Sequence, residues 1–228
     1  EKIRPILRVI DDESIFTKEI FELAQWISKY YLCSIGEAIS AILPSGKRES
    51  SSVGFSFDTE LSETSTKTLS DEQEYAIKKI IESTKTNNTS YHYLYGPTGT
   101  GKTEVFLQVT EQLLKEGKGV IYLVPEIGLT QQVIEAVIQR FGNTVAILHS
   151  GLTQSQKLAQ WRKIMHKEAR IVIGARSAIF APVPNLGMII IDEEHDGSYK
   201  SGTTPRYHAR QAAMFRCSKL KIPLIMGS

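Results

Sequence analysis

A chain of 228 residues, 41% of them apolar, can bury one large core or a core with a small companion. A net charge of +2 is too small to mark a nucleic-acid binder by bulk electrostatics, so any such role must come from local patches. The longest apolar runs have strand length, far short of the ~20 residues that span a bilayer, and this argues against a membrane protein.

The opening residues, EKIRPILRVIDDES, show no basic-then-apolar leader pattern. Without an initiator methionine they read as the start of a fragment. Residues 14–31, SIFTKEIFELAQWISKYY, place Ile15, Phe16, Ile20, Leu23, Ala24, Ile27 and Tyr31 near helical spacing, which predicts an amphipathic helix. A shorter apolar stretch opens at Gly36 and stops near Pro44. Residues 1–46 are therefore expected to form a helical segment, and periodicity leaves open whether it packs on the rest. Residues 47–68 are dense in Ser and Thr and poor in apolar side chains, the composition of a linker. Cys33 and Cys217 lie far apart, match no metal-ligand spacing, and fit free thiols in a reducing cytoplasm.

From Leu69 the pattern changes. Ser70-Asp71-Glu72-Gln73 opens a helix with acids in its first turn. Strand-length runs then alternate with helix-length amphipathic segments. The runs are YHYLY (91–95), GVIYLV (119–124), TVAIL (144–148), RIVIG (170–174), GMIII (187–191) and PLIM (223–226). Near-continuous apolar strands separated by helices predict an α/β domain over 69–228, its parallel sheet covered on both faces. A basic cluster, Arg162, Lys163, His166, Lys167 and Arg170, reads as a solvated helix face.

The first run leads directly into GPTGTGKTEVF. Gly96, Gly101, Lys102 and Thr103 match G-x-x-x-x-G-K-[ST]. Pro97, Thr98, Gly99 and Thr100 complete a loop whose backbone N–H groups would face phosphate oxygens. The positive end of the following helix points at the same anion. Lys102 is expected on the β- and γ-phosphates, and the Thr103 hydroxyl on Mg²⁺. Such a loop needs a carboxylate at the end of a buried strand, and GMIII followed by Asp192 supplies one. Asp192 would hold Mg²⁺ through water, and Glu193 would polarise the water that attacks the γ-phosphate. Competing readings of DEEH are a zinc site, which lacks further ligands at suitable spacing, and a charged strand end without chemistry. His195 is either a coupling residue or a surface histidine.

Phosphate loops serve kinases, GTPases, transporters and motors, and the loop alone does not choose. No N-K-x-D guanine-reading segment is present. After DEEH, the stretch DGSYKSGTTPRYHARQ interleaves Tyr199, Lys200, Arg206, Tyr207, His208 and Arg210. Aromatic rings offer stacking faces to bases and cations offer phosphate contacts, which points to a nucleic-acid motor.

In order after GPTGTGKTEVF come VPEIGLTQQ, LHSGLTQSQKLAQW, IVIGARSAIFAPVPNLG, IDEEHD-SYK and RYHAR. This series resembles the bacterial primosomal replication-restart helicases (the PriA type) of superfamily 2, across essentially all of 69–228. More weakly, VIDDESIFTKEIFELAQWISKYY and IGEAISAILP resemble the end of that family's N-terminal DNA-binding region. The resemblance implies a RecA-like first motor domain of an ATP-driven, 3′-to-5′ DNA helicase. It implies ATP and Mg²⁺ as ligands. It implies single-stranded and forked DNA, primosome proteins and single-stranded DNA-binding protein as partners. Gln73 matches the adenine ligand. Pro125 to Thr130, and Gly174 to Ser177 with Arg176, match segments that touch the DNA backbone. Tyr199 to Arg210 match an aromatic-rich loop that couples DNA to hydrolysis. Two departures stand out. The family's winged-helix domain is missing or reduced between Pro44 and Leu69. The chain stops at IMGS, where motif III begins, before the second motor domain, its arginine fingers and the cysteine-rich module expected to hold Zn²⁺. The 228 residues alone are expected to bind nucleotide weakly, hydrolyse it very slowly and unwind no DNA. Alternatives are a double-stranded DNA translocase, a restriction-type motor domain, or a non-catalytic nucleotide- or DNA-binding module.

Overall fold

The computed structural model describes residues 14–43, 69–97, 99–126 and 131–228, with the side chains of 131 and 132 left aside. All six apolar runs form strands: β1 (Tyr91–Leu94), β2 (Gly119–Leu123), β3 (Val145–Leu148), β4 (Ile171–Gly174), β5 (Leu186–Ile191) and β6 (Leu224–Gly227). They make one parallel sheet in the order β1-β6-β5-β2-β4-β3. Strands β2, β4 and β5 are buried at every position, which is why they read as continuous apolar runs rather than alternating ones.

Strand alternation divides these residues between two cores. Val120, Tyr122, Ile173, Met188, Ile190 and Ile225 face α3 (Asp71–Thr84), α4 (Lys102–Lys115) and α5 (Gln131–Phe141). Ile121, Leu123, Val172, Ile189, Ile191 and Leu224 face α6 (Gln154–Met165) and α7 (Ala209–Leu220). This is the parallel sheet covered on both faces that the alternating pattern predicts, in the RecA-like form that the resemblance implies. The basic cluster at the end of α6 is not only a solvated face. Lys163 Nζ donates to the Val145 carbonyl at 3.1 Å, and Arg170 Nη1 donates to the Leu114 carbonyl at 3.0 Å.

The N-terminal segment forms α1 (Lys18–Tyr30) and α2 (Ile35–Ile42). The Thr17 hydroxyl caps α1, and Ser34 with Glu37 makes a capping box for α2. What the sequence left open is answered here: the segment packs on the sheet domain. The apolar stripe of α1, Ile20, Leu23, Ala24 and Ile27, is fully buried in the same core as α6 and α7. The Trp161 indole N–H donates to the Ile15 carbonyl at 3.0 Å, and Trp26 stacks on Phe215 with ring centroids 4.7 Å apart. Arg216, with no exposed side-chain surface, donates from Nε and Nη2 to the Glu19 carboxylate at 2.7 and 2.9 Å. Its Nη1 donates to the Ile179 and Ala181 carbonyls. The expected linker at 47–68 lies outside the described residues.

Candidate active site

Strand β1 ends at Leu94, and the chain turns through Gly96 and Gly101 into α4. Gly99 and Gly101 have φ of 90° and 81°, the left-handed region that a side chain disfavours. A Cβ at Gly101 would also overlap the Gln73 amide nitrogen. As the N-cap of α4, Gly101 brings no side-chain oxygen to the first turn; the Glu104 N–H donates to Gly101 O at 3.0 Å, and the amides ahead of it are left available to an anion. Lys102 folds over the loop, with Nζ donating to the Gly96 carbonyl at 2.5 Å and to that of Pro97 at 3.4 Å. Thr100 Oγ1 donates to Pro97 O at 2.8 Å. Gln73 serves two elements: its Oε1 accepts from Ser70 N in the capping box of α3, and its Nε2 donates to Thr100 O at 2.9 Å. Gln73 is therefore seated against the loop. Thr98 lies outside the described residues.

At the end of β5, the Asp192 N–H donates to the Leu123 carbonyl at 2.9 Å, fixing the residue at the C-terminal end of the central strands. Its Oδ2 accepts from the Tyr122 hydroxyl at 2.8 Å and its Oδ1 from the Glu193 N–H at 3.0 Å. Burial lifts the Asp192 carboxyl above the usual range, and the donors from Tyr122 and Glu193 and the charge of Lys102 oppose that lift. Tyr122 is 2% exposed, and burial followed by the neighbouring Asp192 charge pushes its phenol well up. The Thr103 side chain opposes that rise. Tyr122, Thr103 and Asp192 line one cleft. The sequence pattern marks Tyr122 only as a strand core position. The available signal was that a buried tyrosine hydroxyl needs a partner, and β-register sets Tyr122 beside Ile190, two residues before Asp192.

Glu193 adopts φ 45°, uncommon for a residue with a side chain and typical of sites where geometry is imposed. Thr103, Tyr122, Pro125, Asp192, Glu193 and His195 all line one open cleft of about 410 Å³. Pro125 is thereby placed on the wall of the same cleft as Asp192, and Thr130 lies outside the described residues. His195 is exposed, with Nδ1 2.9 Å from Ser228 Oγ and Nε2 3.7 Å from the Glu193 carboxylate. Glu194 is buried and ion-paired with Arg210, and its N–H donates to Gly227 O at 2.8 Å.

The loop after DEEH corrects one expectation. Tyr199 and Tyr207 are 1% and 5% exposed, so neither offers a stacking face. Both rings anchor the loop to the domain. The Tyr199 hydroxyl donates to Asp192 O at 2.6 Å. Tyr207 packs on Phe180 with centroids 4.8 Å apart, and the Arg176 guanidinium lies 5.7 Å from its ring. Arg176 Nη1 donates to the carbonyls of Ser198 at 3.0 Å and Lys200 at 2.5 Å, so this arginine grips the loop backbone. Lys200 and Arg206 remain exposed. The structure thus gathers Gln73, the loop, Lys102, Thr103, Asp192 and Glu193 at one site. Arg176, Tyr199, Lys200, Tyr207 and Arg210 form an adjoining cluster, joined to that site through Tyr199 and Asp192 and through Arg210 and Glu194.

Residues 70–226 match the family model of the DEAD/DEAH box helicases. The chain belongs to the DEAD/DEAH box helicase family. Residues 1–44 of this helicase-family chain match a second family model, the 3'DNA-binding domain (3'BD). The relatives agree with the replication-restart resemblance read from the motifs. Replication restart protein PriA of Treponema pallidum (strain Nichols) is 50% identical over 225 residues, covering 99% of this chain and 34% of that protein. The protein of the same name from Bacillus subtilis (strain 168) is 51% identical over 160 residues, covering 70% of this chain and 20% of that protein. The chain thus spans about a third of the length of the first relative and aligns over a fifth of the second. Among solved structures, RecG bound to a three-way DNA junction superposes with a TM-score of 0.52 at 23% identity, over 70% of this chain and 21% of that one, a likeness of fold. Among the described residues, no helix is long and apolar enough to cross a membrane.

Proposed function

We propose that the full-length protein is an ATP-dependent, 3′-to-5′ DNA helicase that acts at stalled replication forks to reload the replication machinery. Residues 69–228 would be its first, ATP-binding motor domain. The observation that carries this reading is the cleft that Thr103, at the end of a loop with left-handed Gly99 and Gly101, shares with Asp192 and Glu193, the Asp192 carboxylate being held there by the buried Tyr122 hydroxyl. The donor set fits the ligand. A hydroxyl and a carboxylate are the hard oxygen ligands Mg²⁺ prefers, and a glycine cradle with open helix amides suits a triphosphate. Bound Mg²⁺ neutralises charge on the β- and γ-phosphates.

Each residue then has a part. The 96–103 loop would hold the phosphates, Lys102 would leave the Gly96 carbonyl for the β- and γ-oxygens, and Thr103 and Asp192 would hold the metal. Glu193 orients and deprotonates the attacking water. Gln73, seated on Thr100, reads the adenine. The exposed Lys200 and Arg206 and the helical segment matched by the 3'DNA-binding domain model face single-stranded and forked DNA. Primosome proteins and single-stranded DNA-binding protein are the expected partners, Zn²⁺ belongs to other parts of the protein, and the cytoplasm is its compartment. We read 1–46 as the end of the DNA-binding region, joined by 47–68 without an intact winged-helix domain. The Treponema relative supports this, because an alignment of 225 residues covering 99% of this chain leaves no space for an inserted domain.

Hydrolysis is expected to need arginine fingers from a second motor domain, worth about 10³–10⁵ in rate. In the full-length protein, Lys102→Ala should abolish nucleotide binding, while Glu193→Gln should keep binding and stop turnover. A fluorescent-nucleotide titration beside phosphate release measures both. Equal loss of nucleotide affinity in the two variants would contradict these roles.

A further inference from the structure

The loop at 198–208 touches the Asp192 site on one side and the N-terminal helices on the other. Tyr31, the residue that closes α1, makes the second contact. Its hydroxyl accepts from the His208 backbone N–H at 3.0 Å, and the Lys200 ammonium lies 5.6 Å from the centre of its ring. Lys200 and His208 face each other across the loop's narrow neck, where they pair as an antiparallel bridge. Tyr31 therefore holds both sides of that neck. The helix it ends is anchored to α6 and α7 by the Arg216–Glu19 pair, the Trp161–Ile15 hydrogen bond and the Trp26–Phe215 stack. Further along the loop, Arg176 grips the Ser198 and Lys200 carbonyls, and the Tyr199 hydroxyl reaches the Asp192 carbonyl.

We propose that Tyr31 is a positioning residue through which the N-terminal helices set the 198–208 loop, and through Tyr199 the backbone of Asp192, so that DNA on the N-terminal segment alters ATP turnover. This rests on the ATP-driven helicase reading above. Every step is a direct contact, from α1 to the loop neck, from neck to Tyr199, and from Tyr199 to Asp192. Tyr31 is only half-buried, so its hydroxyl serves the loop rather than the core. A displacement of α1 by DNA moves the acceptor of the His208 N–H, and the neck moves with it.

The test uses the full-length protein with Tyr31→Phe, Tyr31→Leu and, as a control, Tyr30→Phe. Tyr30 is 55% exposed and its ring stacks on Trp26 rather than on the loop. ATP turnover is measured without DNA and across a titration of single-stranded DNA, beside DNA affinity and thermal melting. Tyr31→Phe keeps the ring under Lys200 and removes only the acceptor. It should lower DNA-stimulated turnover about two- to tenfold, the factor a hydrogen bond of ordinary net strength yields. Tyr31→Leu should lower it further. Turnover without DNA and DNA affinity should stay at wild-type values in Tyr31→Phe, melting should fall only by the small amount one lost hydrogen bond costs, and Tyr30→Phe should change nothing. Full stimulation in both Tyr31 variants would overturn the proposal, as would a parallel fall of turnover without DNA and of melting temperature in Tyr31→Phe. Wild-type protein that DNA does not stimulate would overturn the helicase reading itself, and the role of Tyr31 with it.

Discussion

Asp192 is a carboxylate kept where charge is costly, and its neighbours explain how. Burial raises its pKa, while the Tyr122 hydroxyl, the Glu193 N–H and nearby Lys102 favour the ionised form a metal needs. Tyr122→Phe removes one donor without changing volume. It should cost about 1 kcal/mol of stability, read from a denaturant midpoint, and raise the Mg²⁺ concentration that nucleotide binding requires. An unchanged Mg²⁺ dependence would mean that the hydroxyl serves packing alone. Lys102, Thr103, Asp192 and Glu193 were legible in the sequence because phosphate chemistry constrains their types and spacing within short stretches. Tyr122 was not, since its partner lies 70 residues away and only strand register brings them together. Tyr199 and Tyr207 were misread as stacking faces because composition reports a ring without saying which way it points.

At the scale of elements, strands and helices followed from apolar period, and the two cores followed from strands buried on both faces. The docking of α1 did not, because Glu19 and Arg216 are 197 residues apart and neither belongs to a motif. Glu19→Ala leaves the fully buried Arg216 charge without its carboxylate and should cost about 3 kcal/mol in a denaturant titration. Replacing both, as Glu19→Leu with Arg216→Met, should recover most of that loss. If the double replacement is no better than the single one, the charge is not the cause. A second element-level contact links β1 to α3. His92 Nε2 lies 2.8 Å from Ser83 Oγ, and burial lowers its pKa from the usual value of about 6.5. The unfolded chain therefore takes up the proton first. The contribution of His92 to stability is complete above that pH and is lost as pH falls through the lowered folded value. His92→Gln should flatten the decline in denaturant midpoint between neutral and mildly acidic pH.

Across the whole molecule, the sheet sets Asp192 and Glu193 at the ends of strands facing the phosphate loop, and the chain leaves that site through a loop held by Arg176 and Tyr31. The site is one half of a motor in this account. The 228-residue chain should separate no strands of a forked duplex with ATP present, whereas the full-length protein should. The measurement that bears most directly on the central claim is an equilibrium titration of a fluorescent ATP analogue into the 228-residue chain, with and without Mg²⁺, beside Lys102→Ala. The account predicts saturable, Mg²⁺-strengthened binding that Lys102→Ala removes. No binding by the wild-type chain, or equal binding by Lys102→Ala, would contradict it.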